Sequence, residues 1–378
     1  MPARLGVSGE FCRQWYFVEE LHMLRILGWL LLLVLAAAGG WVYFFLIAAG
    51  VFLSIDTKAA GACSPISGGG VVGVEDIAVD GEAGLAYLSG YDRRALIAGQ
   101  KVRGAIWTYA MNISNDVPVD ATVVALPGGF QPHGISLFRG SDGKNTLFVI
   151  NHAGGKHSIE IFDVNGALLS HRRTVTGAGL VSPNDIVGVG PDRFFVTNDH
   201  ANVSGWMRTL EDFGRLPLST VQFFDGREFS TALSGLGGSN GINISGDGRS
   251  LYVSAASERR VYVYNRDLQT NSLAPRASID VPGFADNIDV LANGDLLLGL
   301  HSKILDFLAH VGDAKRFSPS HVMHLKADGK GSFVAETIYY NTGEEISGGS
   351  VGASVGKRLL IGAVFDPKIL NCSWEAAP

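Results

Sequence analysis

Cysteine is scarce in this chain, with only Cys12, Cys63 and Cys372 among 378 residues. That excludes a disulfide-dense scaffold, and no Cys/His spacing forms a zinc signature. Charge is sparse as well, at 17%, and the net charge of −6 leaves no basic footprint for nucleic acid. A Gly-x-Ser-x-Gly elbow, a P-loop and a dinucleotide fingerprint in a βαβ setting are all absent. Beyond residue 56 there are no heptads and no long amphipathic helices. Apolar residues, by contrast, make up 47% of the chain, and glycine 49 of 378 positions, or 13%, against ~7% in an average protein. Mean hydropathy is +0.20. At this length a positive value points to a membrane segment or to a very β-rich core, and both are expected here.

Residues 26–55 form a run of 30 without a formal charge. As a helix it would extend about 45 Å, more than the ~30 Å hydrocarbon core of a bilayer requires. A cleaved signal peptide has a shorter apolar region behind a short basic one, so a retained signal anchor is the preferred reading and secretion after cleavage the alternative. Arg4, Arg13 and Arg25 precede the run, and only Lys58 follows it within the next 35 residues. The positive-inside rule then assigns residues 1–25 to the cytosol and residues 56–378 to an extracellular or luminal space. Cys12 falls on the cytosolic side. Cys63 and Cys372 stand at the two ends of the post-membrane region, and a bridge between them would persist only in an oxidising compartment. Sequons at Asn112, Asn202, Asn243 and Asn371 permit glycosylation there, although Asn243 reads as part of a strand.

After residue 56 a short apolar strand recurs behind a Gly/Asp turn: GLAYLSGY, NTLFVINH, DRFFVTND, RSLYVSAA, GDLLLGLH and KRLLIGAV. Its central residues Tyr87, Phe148, Phe195, Tyr252, Leu297 and Leu360 are 61, 47, 57, 45 and 63 positions apart. Six all-β units of this size predict a six-bladed β-propeller, with a two-sheet sandwich as the less economical alternative. A bridge between Cys63 and Cys372 would then staple the last blade to the first.

Acids and amides recur upstream of these strands: Glu75–Asp76, Asn184–Asp185, Asn240 and Asp286–Asn287, with the first residue of each 12, 11, 12 and 11 positions before its strand centre. Equivalent positions in a propeller converge on its axis. Carboxylates and amides meeting there would repel and strand their polar atoms unless a hard cation lay between them. An oxygen-only set favours Ca²⁺ over Zn²⁺. Adjacent strand residues point opposite ways, so each pair could feed two ions at different heights on the axis. Histidines come next: His133 in FQPHGIS, then His152, His200 and His301 at strand ends, where they would share one rim. Imidazole titrates near neutrality and suits general-base work.

These motifs, GVEDIAV, FQPHGIS, the VINH strand end, SPNDIVGVGPDRFFVTNDH, ADNI and LLIGAVF, resemble those of the serum paraoxonase/arylesterase family over about residues 63–372. The resemblance implies a six-bladed calcium-dependent lactonase or arylesterase carrying two Ca²⁺ ions. It implies that Glu75, Asn184, Asn240, Asp286 and Asn287 hold a catalytic calcium. Asp76, Asp185 and the backbone carbonyl of Ile135 would hold a structural one. His133 and His152 match the family's proposed catalytic pair, Asp199 and His200 a further pair lining the site, and Cys63 and Cys372 its disulfide. His301 lies in the pocket segment, where Leu300 stands at a position that is Cys in vertebrate members. Residues 301–320 have no evident counterpart, and Phe307, Leu308 and Phe317 could reshape the pocket rim.

The resulting expectation is a single catalytic propeller, residues 56–378, on a transmembrane tether, hydrolysing lactones or aryl esters. Two other readings use the same residues: a non-catalytic, calcium-stabilised binding module, and a related propeller that hydrolyses sugar lactones or condenses small molecules. Residues 1–55 carry three Arg and three Glu, so the whole −6 belongs to residues 56–378.

Overall fold

The computed structural model describes residues 9–111, 117–120, 122–123, 129–329 and 331–374. The chain divides into two compact units, Met1–Phe52 and Leu53–Pro378. In the first, a helix runs from Gly9 to Ala48, and within it His22–Ala48 has a mean hydropathy of 2.4, long and apolar enough to cross a membrane. The helix stops short of Ile55 because Gly50 takes a positive φ of 72°, a conformation that ends helices and suits a residue without a Cβ. The side chain of Cys12 lies outside the described residues.

In the second unit the strands form six sheets, the six blades expected from the repeat. The blades begin with the strands Val74–Asp80, Pro132–Arg139, Pro183–Gly190, Ser239–Ile244, Phe284–Val290 and Gly349–Val355. The recurring apolar strand is the second of each blade: Leu85–Gly90, Asn145–Asn151, Arg193–Asn198, Ser250–Ala255, Leu296–His301 and Arg358–Ala363. These second strands are buried almost throughout, whereas outer strands such as Leu168–Val175 and Leu273–Asp280 alternate towards solvent. A strand covered on both faces by neighbouring blades reads as an unbroken apolar run; one covered on a single face alternates.

The core is a ring of six apolar clusters, one between each blade and the next. Tyr87 packs with Ile135 and Leu147 of the second blade, and Phe148 with Ile186 and Phe194 of the third. Phe195 packs with Ile242 and Leu251 of the fourth, and Tyr252 with Ile288 and Leu296 of the fifth. Leu297 meets Leu359 and Ile361 of the sixth, and Leu360 meets Val74 and Leu88 of the first. The six central residues of the repeat are thus the wedges of the six seams. Burying one such side chain stabilises a fold by roughly 1.5–3 kcal/mol.

Cys63–Ile66 closes the ring by adding an edge strand to the last blade, pairing antiparallel with Ile369–Ser373 so that Cys63 faces Cys372. The two are joined by a disulfide. The staple therefore lies within the last blade, which takes its outermost strand from the segment that leads into the first. Of the sequons, Asn112 falls outside the described residues. The side-chain nitrogens of Asn202, Asn243 and Asn371 donate to Glu211, to the Ile288 carbonyl and to the Tyr109 hydroxyl, respectively.

Candidate metal centre and active site

The six inner strands pack each against the next and close a ring about the axis. Each breaks its ladder register at the same place. The breaks fall on Glu75, His133–Gly134, Asn184–Asp185, Asn240–Gly241, Asp286–Asn287 and Ser350. A β-bulge frees residues from their ladder partners and re-aims their side chains, so the site residues are presented by one repeated distortion. Two positions of this ring are glycine because neighbouring backbone fills the space. A Cβ on Gly134 would lie 2.5 Å from the Asn184 carbonyl oxygen, and one on Gly241 2.4 Å from that of Asp286.

Glu75, Asn184, Asn240, Asp286 and Asn287 occupy the ring together. Asn287 Nδ2 donates to Glu75 Oε1 at 2.9 Å and to the Glu75 carbonyl at 2.9 Å, and Ser350 Oγ donates to that carbonyl at 2.7 Å. What remains is unusual for a protein interior. Glu75 Oε2, Asn184 Oδ1, Asn240 Oδ1 and Asn287 Oδ1 are buried without a hydrogen-bond partner among the described residues. Buried polar atoms are nearly always paired, and leaving one unpaired costs about 1–3 kcal/mol. No group of three His, Cys, Asp or Glu side chains forms a metal cage among the described residues; this set is carboxylates with amides. Orphaned oxygens of that kind, with no sulfur or imidazole among them, fit a hard cation such as Ca²⁺.

Charge runs the same way. Burial raises Asp286 above the ordinary aspartate range, against the opposing pull of His301, whose Nε2 lies 2.8 Å from Asp286 Oδ2. Burial pushes Glu75 upward too, but His133, with help from Arg93 and Asn287, holds it below its ordinary value. The His301 ring stacks on Phe307 at 3.9 Å, and its Nδ1 is buried without a partner.

Asp76 and Asp185 belong to the same bulges and are treated differently. Asp76 accepts the N–H of Ile77 at 2.8 Å on one oxygen and that of Ile135, in the next blade, at 2.7 Å on the other. Asp185 repeats this with Ile186 and Ile242, both at 2.7 Å. Burial, then repulsion from a neighbouring carboxylate (Glu75 for Asp76, Asp76 for Asp185), raises both well above the usual range. Ile135, expected to offer its carbonyl, uses its N–H to bind Asp76.

The structure brings His133 and His152 together: His133 Nδ1 is 3.0 Å from His152 Nε2, and His133 Nε2 is 3.4 Å from Glu75 Oε2. Burial, then the neighbouring His133 and His157, pushes the His152 imidazole well below the usual histidine range. His157, which the sequence reading missed, lies with its Nδ1 2.8 Å from His152 Nδ1. A signal for it existed. Asn151 pairs with Ser158 in a hairpin, so the residues on either side of the turn, His152 and His157, had to face each other. Asp199 and His200 are together at 2.8 Å, and His200 Nε2 reaches Asp212 on the helix Gly205–Gly214 at 2.7 Å. Although burial lowers it, His200 is raised overall by Asp199. In the segment 301–320, the helix Ile304–Gly312 carries Phe307 inward onto His301 and leaves Leu308 exposed, and Phe317 beyond it is exposed too.

The fold and the site define a six-bladed propeller with buried, unpaired oxygens at its axis beside a pair of bonded histidines. The arylesterase family model matches residues 104–374, and the chain belongs to that family. It is 32% identical over 240 residues to serum paraoxonase/arylesterase 2 of Bos taurus, covering 62% of this chain and 67% of that one. Serum paraoxonase/lactonase 3 of Mus musculus is 29% identical over 311 residues, covering 79% and 85%. Among solved structures a luciferin-regenerating enzyme superposes with a TM-score of 0.50 at 12% identity, covering 82% of this chain and 94% of that one. That likeness bears on the fold alone.

Proposed function

We propose that the chain hydrolyses lactones or aryl esters with calcium held by Glu75, Asn184, Asn240, Asp286 and Asn287. The observation that carries this reading is the set of four buried oxygens without partners, set against His133. The printed names of the relatives, arylesterase and lactonase, support the substrate class. Calcium, when bound, supplies a Lewis acid that polarises an ester carbonyl.

The chain's own residues do the rest. His133 takes a proton from water at Nε2 while its Nδ1 donates to His152 Nε2, which fixes the tautomer that leaves Nε2 free to accept. Asn287 and Ser350 hold Glu75 in place through its carbonyl, and His301 holds Asp286. Phe307, stacked on His301, excludes water from that side. Asp199 and His200 line the same rim. Asp76, Asp185 and the backbone carbonyl of Ile135 would hold a second, structural calcium through the lone pairs that the N–H bonds to the two carboxylates leave open; the mutual repulsion of two buried carboxylates supports this.

For location, the proposal is a catalytic propeller, residues 56–378, on the extracellular or luminal side of a membrane crossed by His22–Ala48 rather than by the whole of 26–55. The Arg residues ahead of the apolar helix and the disulfide support it. The test is a panel of lactones and aryl esters given to the full chain with calcium and with excess chelator, alongside elemental analysis. Turnover that vanishes with chelator and returns with calcium is the expected result. Undiminished hydrolysis by protein free of calcium would sink the reading.

A further inference from the structure

We propose that His157 is the outer end of a proton relay that runs from His133 through His152 to water. This rests on the hydrolase reading above. Two bonds in series carry it: His133 Nδ1 to His152 Nε2 at 3.0 Å, then His152 Nδ1 to His157 Nδ1 at 2.8 Å. His152 therefore spends both ring nitrogens on other imidazoles. A histidine that merely orients another is usually anchored by a carboxylate or a backbone carbonyl, which holds one tautomer. An imidazole in the anchoring position can instead take up the proton and pass it on.

The outer end is suitably placed. His157 is half-buried and makes no other side-chain hydrogen bond among the described residues. With His152 it lines a cavity of about 780 Å³, to which Gln131, Lys101 and Tyr91 also contribute. His133 is not among its lining residues. The outer two members of the relay thus open onto this cavity. Burial, with help from His133, lowers the His157 imidazole below the usual histidine range, against the opposing pull of Asp199.

The chemistry can use such a path. Ester and water give carboxylate, alcohol and one proton. As the new C–O bond forms, a proton leaves water for His133 Nε2. The His133 Nδ1 proton moves to His152 Nε2, the His152 Nδ1 proton moves to His157 Nδ1, and the His157 Nε2 proton enters solvent. All three rings are then in the opposite tautomer. When the old C–O bond breaks, the leaving oxygen keeps the electron pair and takes the proton from His133 Nε2. The relay runs backwards, drawing a proton in at His157 Nε2, and every ring returns to its first tautomer. The carboxylic acid product ionises on release, which yields the single net proton. Without His157 both passages end at His152, an imidazole that burial makes a poor proton carrier.

The test compares the full chain with His157→Gln and His157→Phe in a dilute non-imidazole buffer, then with added imidazole. Each variant should lose about three- to tenfold in kcat with KM unchanged, and imidazole should restore it, since a small buffer replaces a missing proton carrier. The wild type should respond to neither change. Thermal unfolding reports whether each variant is folded; should the phenylalanine variant fail to fold, the glutamine variant carries the result. Wild-type kcat in the folded variants, or a loss that imidazole leaves untouched, overturns the relay. His133→Gln separates the two levels of the argument. An inactive His133→Gln beside a fully active His157→Gln removes the relay alone. A fully active His133→Gln, or a wild type inert on all esters, removes the hydrolase reading and the relay with it.

Discussion

Glu75 and Asp76 are neighbours on one strand, and Asn184 and Asp185 on another, yet their side chains live in opposite conditions. Asp76 and Asp185 have both carboxylate oxygens tied to backbone N–H groups, one from their own strand and one from the next blade. The residues beside them, with Asn240 and Asn287, keep a buried oxygen without a hydrogen-bond partner among the described residues. One tier of the ring locks blade to blade; the other holds polar atoms at a cost that only a ligand would offset. Within a single bulge, hydrogen-bond satisfaction separates two conditions that residue type alone does not.

The sharpest way to break that comparison is to mutate both tiers and read activity and stability together. Glu75→Gln keeps the bond from Asn287 and removes a charge from the unsatisfied tier. Activity should fall on the order of 10³-fold or more, several kcal/mol of transition-state stabilisation, and the calcium-dependent rise in Tm should shrink. Stability without calcium should change by no more than about 1 kcal/mol, because no hydrogen bond is lost. Asp185→Ala should do the reverse in emphasis. It strands the N–H groups of Ile186 and Ile242, costing about 2–5 kcal/mol in denaturant unfolding even without calcium. Equal stability losses for the two variants in chelator would erase the distinction between the tiers.

His133→Gln comes next, and it divides the unsatisfied tier from the base beside it. General-base removal should lower kcat by about 10²–10⁴-fold while calcium still raises Tm as in the wild type. Loss of the calcium response in this variant would make His133 part of the cation site rather than its neighbour.

Much of this was legible beforehand, for definite reasons. Blade number followed from Tyr87, Phe148, Phe195, Tyr252, Leu297 and Leu360, because each seam needs a large apolar wedge at one repeated place. The ring of acids and amides was legible from their fixed offset to those wedges. The order of the strands was not: the apolar strand that precedes His152 and His200, and that ends on His301, is the second of its blade and not the one that lines the axis. The inner strand had escaped notice because its bulges interrupt the alternation that marks a strand. The split between tiers was hidden as well, since nothing in the sequence shows that Asp185 meets the N–H of Ile242 fifty-seven positions away. His157 was passed over because the pairing of Asn151 with Ser158, which brings it to His152, is a matter of register rather than of motif.

The same criterion sorts two further histidines, and this gives the smallest effect and a control. His301 has a buried Nδ1 without a partner and its Nε2 on Asp286. His321, across the ladder from Leu300, has Nδ1 2.6 Å from Ser302 Oγ and Nε2 2.9 Å from Thr337 Oγ1, with its ring stacked on Tyr340 at 4.3 Å. His321 should therefore matter to stability and not to turnover. Burial pushes its pKa down to about 4 from 6.5. Above pH 6.5 it is neutral in both states and its contribution is fully present. As the pH falls, the unfolded chain takes up a proton that the folded chain refuses until about pH 4. Stability is lost across that window, by about 2 kcal/mol at pH 5. Denaturant unfolding at pH 7 and pH 5 should show this loss in the wild type, and a loss smaller by about that amount in His321→Gln, whose amide can still bond Ser302 or Thr337. Ester turnover by His321→Gln at pH 7 should stay within about twofold of the wild type, while His301→Gln, acting on Asp286, should lower it. An unaltered pH slope in His321→Gln, or an equal loss of turnover in the two variants, would mean that hydrogen-bond satisfaction does not separate the histidines as it separates the two tiers of the ring.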